Sequence, residues 1–275
     1  MQGVPEQFEH PADKAQYRRP AHRAGVELYR AHIVRHAFDP HTHGAFGIGA
    51  IESGVERFRY RGAEHLAPPD SLVLMNPEVL HTGHAETEGG WRYRMAYLDA
   101  DVVEAVTGEA GWWFADAVRH VPVSARRVTA LLDAMWLADE PLAFDSALLE
   151  LVTEIRRHAR IATPVREGNA SRFANVIDYL HAHFDARVTL EELARVAGLS
   201  PFHFLRSFRV QHDVTPAQML MAIRLFEAKR LLAAGDTPAQ VAAATGLTDQ
   251  AHLTRAFARR YGITPGEYRR QLRGH

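Results

Sequence analysis

The sequence contains no cysteine among its 275 residues. This absence excludes a disulfide scaffold, a thiolate nucleophile, an iron–sulfur cluster and a cysteine-built zinc finger. No apolar run approaches the roughly 18 residues that a membrane-spanning helix needs, so we expect no membrane partner. The N-terminus also lacks the basic-then-apolar order of a secretory signal peptide. The sequence therefore predicts a cytoplasmic protein.

The chain also has little net charge, with a formal value of −1. By itself this value argues against nucleic-acid binding, but the charges are unevenly distributed. Residues 170–275 carry 14 Arg and Lys against 9 Asp and Glu, whereas residues 1–169 carry 18 against 24. A basic segment joined to an acidic one indicates two domains, one of which approaches a polyanion.

The N-terminal part has the pattern of short β-strands. Apolar and polar residues alternate over 31–36, 55–60 and 92–98, and Pro, Gly, Asn and Asp cluster between such runs. Short strands at this spacing predict a β-sandwich or a small barrel. We place this barrel domain at residues 1–105.

A helical pattern replaces the strand pattern after this domain. Apolar residues recur with a helical period over 124–138 and 144–161, within a helical segment that we place at 106–162. Ser124 follows a proline and is expected to cap the first of these helices. A polar stretch broken by Pro and Gly predicts a linker at 163–170.

The C-terminal part, residues 171–275, is predicted to be an all-helical domain that contains a degenerate repeat. A Gly-Leu-Ser/Thr turn, a His-x-x-Arg-x-Phe motif and a Thr-Pro pair occur twice, 48 residues apart before the turn and 49 after it. The complete fold class is thus α+β with two domains. The repeated segments are 189–200 with 237–248, 203–208 with 252–257, and 214–216 with 263–265.

Each repeat has the physical pattern of a helix-turn-helix. A short apolar-faced helix ends at Gly198 or Gly246, since glycine permits the positive φ that a tight turn needs. Ser200 or Thr248 is expected to cap the second helix, which buries two apolar residues and leaves arginines on its free face. The two units span 189–211 and 238–260.

A helix over 216–234 is predicted to join the two units. At about 1.5 Å per residue it is about 28 Å long, which places two recognition helices near one DNA turn, about 34 Å, apart. The exposed residues of the two helices differ, so we expect an asymmetric site on double-stranded DNA.

The exposed faces give candidate DNA contacts. Arg206 and Arg255 are the best candidates for base reading, because arginine binds guanine O6 and N7 in bidentate fashion. Phe202 is expected to pack on a thymine methyl group. The remaining base-reading candidates are Leu205, Gln250, Ala251 and Thr254, of which Leu205 and Ala251 offer no hydrogen bonds; the phosphate candidates are Arg209, Arg259 and Arg260.

This domain resembles the DNA-binding domain of the AraC/XylS transcriptional regulators over residues 170–270. The motif at 246–265, GLTDQAHLTRAFARRYGITP, and the linker-helix run at 224–232, RLFEAKRLL, carry the resemblance. It implies two helix-turn-helix units reading one site, a sensor domain that responds to a small-molecule effector, and helices that form a homodimer. It implies RNA polymerase as a partner if the protein is an activator.

Histidines are concentrated in the N-terminal domain. His41 and His43 are two residues apart, so they face the same side of a strand, and His81 follows some 40 residues later. This order resembles the cupin barrel, which AraC-family proteins use as a sensor. The glutamate of the cupin pattern is missing, and Pro68-Pro69-Asp70 stands where Pro-Gly-Asp is typical. We expect the three histidines and Tyr93 to line an effector pocket.

Three interpretations of these histidines remain open. His41, His43 and His81 bind zinc or nickel through their imidazoles, or they hydrogen-bond a small polar effector without a metal, or they are structural. Two functions follow. The first is a ligand-responsive transcription factor that is not an enzyme. The alternative is a metal-dependent cupin enzyme, an isomerase or dioxygenase, with an appended helical domain. The missing glutamate and the duplicated DNA-reading motif argue against the alternative.

Overall fold

The structure is a computed structural model that describes residues 8, 10–161, 173–212 and 214–273. Its N-terminal domain consists mainly of short antiparallel strands, as the alternating pattern predicts. The strands are β1 Lys14–Arg18, β2 Val26–Ile33, β3 Phe38–His41, β4 Phe46–Ser53, β5 Glu56–Tyr60, β6 Ala63–Ala67, β7 Ser71–Met75, β8 His81–Ala85, β9 Trp91–Leu98, β10 Trp112–Trp113, β11 Val118–His120 and β12 Arg160–Ile161.

Two sheets form the barrel. The larger sheet has the order β1-β2-β9-β4-β7-β11, and the smaller has the order β3-β8-β5-β6, while β10 pairs with β12. Apolar side chains from both sheets, such as Ile51 and Met95 from the larger and Phe58 from the smaller, belong to one buried cluster. The barrel interior is therefore filled by inward-facing residues of both sheets, which confirms the cupin-like fold class.

Three helices follow or interrupt the barrel: α1 Ala100–Thr107, α2 Pro122–Leu137 and α3 Pro141–Arg156. They cover the outer face of the larger sheet in a second apolar cluster. Ser124 was expected to cap α2, and this expectation is wrong: Val121 is the N-cap and Pro122 the first helical residue. Ser124 is instead buried inside the helix, where its hydroxyl donates to Glu154.

The C-terminal domain is helical throughout the residues described. Its long helix coincides with the predicted span 216–234. The predicted linker at 163–170 lies outside the described residues. The helices are α4 Ala174–Ala182, α5 Leu190–Val196, α6 Pro201–His212, α7 Pro216–Ala234, α8 Pro238–Ala244, α9 Gln250–Tyr261 and α10 Pro265–Arg273.

Local signals define the helix ends. Thr189, Thr215 and Thr237 each form a capping box with the Glu or Gln three residues later, and such boxes satisfy otherwise unpaired backbone N–H groups. Both turn glycines have positive φ, +65° and +67°. The cap of α9 is Asp249 and not Thr248, because the carboxylate of Asp249 accepts from the backbone N–H of His252.

The two helix-turn-helix units have different cores. The first unit buries Phe173, Phe204 and Phe208 in a cluster made largely of its own residues. In the second unit, Phe257 and Tyr268 belong to the same cluster as the barrel interior. The barrel thus docks against the second unit. Across the described residues, no helix combines the length and apolar character needed to cross a bilayer.

Candidate effector pocket and DNA-reading helices

Three histidines meet inside the barrel. His41 ends β3 and pairs in register with His81, which begins β8. His43 lies beyond the end of β3, but its ring still reaches the other two. The centroid distances are 4.2 Å for His41–His81, 4.9 Å for His43–His81 and 5.1 Å for His41–His43. The convergence expected from the sequence is therefore observed, and what these residues bind stays a prediction.

Backbone hydrogen bonds orient two of the three imidazoles. Nδ1 of His41 lies 2.7 Å from the carbonyl oxygen of Asp39, and Nδ1 of His81 lies 3.0 Å from that of Val79. A carbonyl only accepts, so each Nδ1 carries the proton and each Nε2 presents a lone pair. Such outer hydrogen bonds are typical of histidines that ligate metals.

The imidazoles are held in their neutral form. Burial, followed by the charges of His81 and Arg260, lowers the pKa of His41 well below its usual value. Burial and the charges of His81 and His41 do the same for the pKa of His43. Burial lowers the pKa of His81 to about 4. Neutral rings are Lewis bases, and the site presents two Nε2 lone pairs of fixed orientation.

A cavity of about 40 Å³ lies against the triad. This volume is sufficient for a few water molecules. Tyr93, the fourth predicted pocket residue, lines it and is buried. Glu56 lines it as well, and burial raises the pKa of its carboxyl group to about 8. The sequence did not single out Glu56, which lies on a different strand from every histidine of the triad.

Arg260 and Tyr261 of the second helix-turn-helix unit also line this cavity. The prediction that Arg260 contacts DNA phosphate is wrong, because its side chain is buried, with 2% exposure. Its guanidinium donates to the carbonyl of Ala222, at 2.5 Å, and to the carbonyl of Thr42. Thr42 lies between His41 and His43, so Arg260 contacts the backbone that carries two of the three imidazoles.

A buried charge cluster lies at the same interface. Glu27 of β2 forms an ion pair with Lys229 of α7 and accepts a hydrogen bond of 2.6 Å from the Tyr268 hydroxyl. Arg19 lies 2.8 Å from the second carboxylate oxygen. Burial opposes ionisation of Glu27, but the charges of Lys229 and Arg19 outweigh it and lower its pKa to about 2. The carboxylate is therefore ionised at any physiological pH.

Aromatic rings surround the cation of this cluster. The ammonium nitrogen of Lys229 lies 4.7 to 5.5 Å from the ring centroids of Tyr17, Tyr97, Tyr261 and Tyr268. Cations are attracted to aromatic faces at such distances. Two of these tyrosines come from the barrel and two from the DNA-binding domain, so the cluster joins the domains.

The DNA-reading candidates of the first unit are accessible on α6. Phe202 is 71% exposed and Leu205 is 37% exposed. Arg206 and Arg209 are also exposed. An arginine beside apolar side chains on a free helix face is consistent with major-groove reading, and the individual roles stay predictions.

The candidates of the second unit lie on α9. Gln250, Ala251 and Arg255 are exposed. Thr254 is half-buried, and its hydroxyl donates a hydrogen bond of 2.8 Å to the carbonyl of Gln250. Arg259 is exposed but lies 3.7 Å from the carboxylate of Asp39 in the barrel. The barrel therefore occupies the C-terminal end of α9 and leaves its N-terminal end free.

Two domain models match the chain. The AraC-like ligand binding domain matches residues 23–152, and the helix-turn-helix domain matches residues 193–271. The first match covers the barrel from β2 onward, together with α1, α2 and most of α3. The second begins within α5 and ends within α10.

Similar proteins are transcriptional regulators. An uncharacterised HTH-type transcriptional regulator of Bacillus subtilis, YbfI, is 29% identical over 83% of this chain and 86% of its own. The MmsAB operon regulatory protein of Pseudomonas aeruginosa is 24% identical over 96% and 83%. The crystal structure of apo ToxT from Vibrio cholerae has a TM-score of 0.58, covers 91% of this chain and 98% of its own, and is 10% identical. That likeness establishes the shared fold.

The fold and the exposed reading helices define a DNA-binding transcriptional regulator with a ligand-binding barrel. The chain belongs to the AraC/XylS family of transcriptional regulators.

Proposed function

We propose that a small effector binds beside His41, His43 and His81 and controls DNA binding by changing the contact between the barrel and the second helix-turn-helix unit. One observation carries this proposal: the cavity is lined by the barrel and by Arg260 and Tyr261 together. A ligand in this position contacts both domains at once. The protein must therefore bind this ligand with different affinity when the second unit is docked on the barrel and when it is not. Such a difference in affinity is what allows a ligand to shift the equilibrium between two arrangements.

A structural neighbour is consistent with this role. ToxT from Vibrio cholerae has been solved with an unsaturated fatty acid bound. For the present chain, the cavity of about 40 Å³ fits only a much smaller occupant while Arg260 remains docked.

A homodimer is the second part of the proposal. Leu132 of α2 is buried in the core of its own domain, and Trp136 lies beneath Arg30, 4.2 Å from its guanidinium carbon, so neither residue serves as an interface anchor. Val123 and Leu142 are each 79% exposed instead, on the neighbouring helices α2 and α3. We infer that these helices pair between two copies. Leu142→Glu should then shift the chain to monomer in light scattering, whereas Glu150→Gln on the same helix should not.

The comparisons favour a regulator over a cupin enzyme, because the relatives reported above are described as regulators. RNA polymerase is the expected partner if the protein is an activator, since an activator must recruit or stimulate the polymerase at its promoter. In vitro transcription from a selected promoter, with and without the protein, tests this role. Increased transcript supports an activator, and decreased transcript supports a repressor.

The test of the main proposal begins with selection of genomic DNA fragments by the purified protein. Binding of the selected fragments is then measured for wild type and for Tyr93→Phe and His43→Ala variants. We expect the pocket variants to retain basal DNA binding and to lose the change that an effector produces. His84→Ala is the matched control, because His84 is exposed on the strand that carries His81. Identical effector responses in wild type and His43→Ala would contradict the proposal.

A further inference from the structure

The three imidazoles favour a cation in the cavity, whereas the positive charge of the buried arginine beside them disfavours one. Two of the Nε2 atoms present lone pairs, as derived above, and such a donor set favours a cation. Arg260 is itself a cation, is buried in the wall of the same cavity, and within the described residues donates to backbone carbonyls and not to a carboxylate. Its Nε is also buried without a hydrogen-bond partner.

The donor set fits a transition metal. Nitrogen atoms from His41, His43 and His81 lie within 4.8 Å of one another. Tetrahedral zinc, with bonds of about 2.0–2.1 Å to histidine nitrogen, requires about 3.4 Å between them, so side-chain rotations of about 1 Å close the site. The cavity of about 40 Å³ leaves room for one water molecule as the fourth ligand. Imidazole ligands without carboxylates suit zinc, copper and nickel.

The charge of a metal ion at this site would oppose the docking of Arg260. Its guanidinium donates to the carbonyl of Thr42, which lies between two of the three ligands. The docked guanidinium is therefore held beside two of the three ligands. A divalent charge repels the guanidinium strongly in a buried site, where the effective dielectric constant is far below that of water.

We propose that a divalent transition-metal ion at His41, His43 and His81 and the docked Arg260 exclude each other, so that metal binding releases the second helix-turn-helix unit from the barrel. This inference rests on the effector pocket proposed above and names its ligand class. Arg260 acts as an internal competitor for the metal. By linkage, DNA that holds the second unit away from the barrel should raise the metal affinity.

The first experiment measures zinc and nickel binding to the untagged, chelator-treated full chain. We expect one ion per chain in wild type and none at this site in His43→Ala. His84→Ala controls for surface histidines. Arg260→Gln should bind zinc at least about tenfold more tightly, because the competing charge is gone. Arg259→Gln, at the exposed neighbouring position, should bind like wild type. Misfolding cannot produce a gain in affinity.

The second experiment measures release directly. The chain has no cysteine, so Glu88→Cys in the barrel and Ala243→Cys in the second unit accept spin labels without background; both positions are exposed. Pulsed electron paramagnetic resonance should give a single distance between the two labels without metal, and a longer, broader distribution of distances with zinc. The Arg260→Gln variant should show the longer distribution in part even without zinc.

Three results would overturn the inference. These are equal zinc binding by wild type and His43→Ala, unchanged affinity in Arg260→Gln, and a distance distribution that zinc leaves unchanged. Failure of the proposed function looks different, because then the selected DNA fragments respond to no change in the pocket. Zinc binding and label distances are measured without DNA, so the two failures are distinguishable.

Discussion

Lys229 of the linker helix and Glu27 of the barrel form a buried ion pair that joins two domains across 202 residues of sequence. Both side chains are almost fully buried. The pair is completed by the hydroxyl of Tyr268 and by Arg19. A pair this deeply buried is sensitive to loss of one partner, since the other charge is then left in a poorly hydrated site.

Lys229→Met should therefore destabilise the protein by about 3–5 kcal/mol. The double variant Glu27→Gln/Lys229→Met should lose less, because it leaves no isolated charge. Chemical denaturation of the two single variants and the double variant gives the coupling energy. A loss below about 1 kcal/mol in Lys229→Met would show that Glu27 is hydrated or paired elsewhere.

Base reading is predicted at one arginine in each unit. Arg206→Ala and Arg255→Ala should each weaken specific binding by about 1–3 kcal/mol and relax selectivity at one base pair. Selection of DNA from a randomised library, followed by gel-shift titration, measures both effects. Unchanged preferences in both variants would mean that another helix face reads the bases.

Phosphate binding should distinguish two adjacent arginines. Arg259→Ala should weaken binding to all sequences alike and reduce the salt slope by about one unit, because its exposed side chain is available to a phosphate. In the metal-free protein, Arg260→Ala should leave the salt slope unchanged, because its guanidinium is directed into the barrel. Titrations at several salt concentrations give the slopes. A reduced slope in Arg260→Ala would show that Arg260 leaves the barrel when DNA binds.

Acid should destabilise the chelator-treated protein. The pKa of His81 is about 4 in the folded protein and about 6.5 when unfolded. The unfolded chain thus binds a proton first as pH falls below 6.5, and stability decreases until about pH 4. This residue alone contributes up to about 3 kcal/mol of that loss. Thermal unfolding of wild type and His81→Asn checks the sign: the variant should depend less on pH over this window, and His84→Asn should match wild type.

Local signals explain how much of the fold could be predicted. The helix at 216–234 was predicted correctly because Thr215-Pro216 starts it and Gly235, in a left-handed conformation, ends it. The histidine cluster was found because two of its members lie two residues apart. The short strands β10 and β12 were not predicted, since two residues carry no periodic pattern. The helical prediction over 144–161 is wrong for its last residues, because α3 ends at Arg156 and Arg160–Ile161 pairs with β10.

Long-range docking explains most of what could not be predicted. Glu27 and Lys229 have no local feature that marks them as partners. The phosphate role of Arg260 was inferred from the basic run at the end of α9, and a sequence pattern does not show which face of that helix meets the barrel. The repeat held one signal: the position equivalent to Arg260 in the first unit is Gln211, so the two units differ where the second one docks.

The barrel shares a buried core with the second helix-turn-helix unit but not with the first. This difference affects how the protein occupies its DNA site. Under the release proposed above, we expect the docked barrel to hold the second unit away from its half-site, so that the protein engages DNA mainly through the first unit. Release makes the second contact intramolecular, with an effective concentration set by the rigid α7 spacer, and such linkage increases overall avidity by about 10²–10⁴-fold without any new contact. The ligand then controls how many helix-turn-helix units of one chain bind DNA at the same time. The spacing between the two half-sites affects affinity only after release.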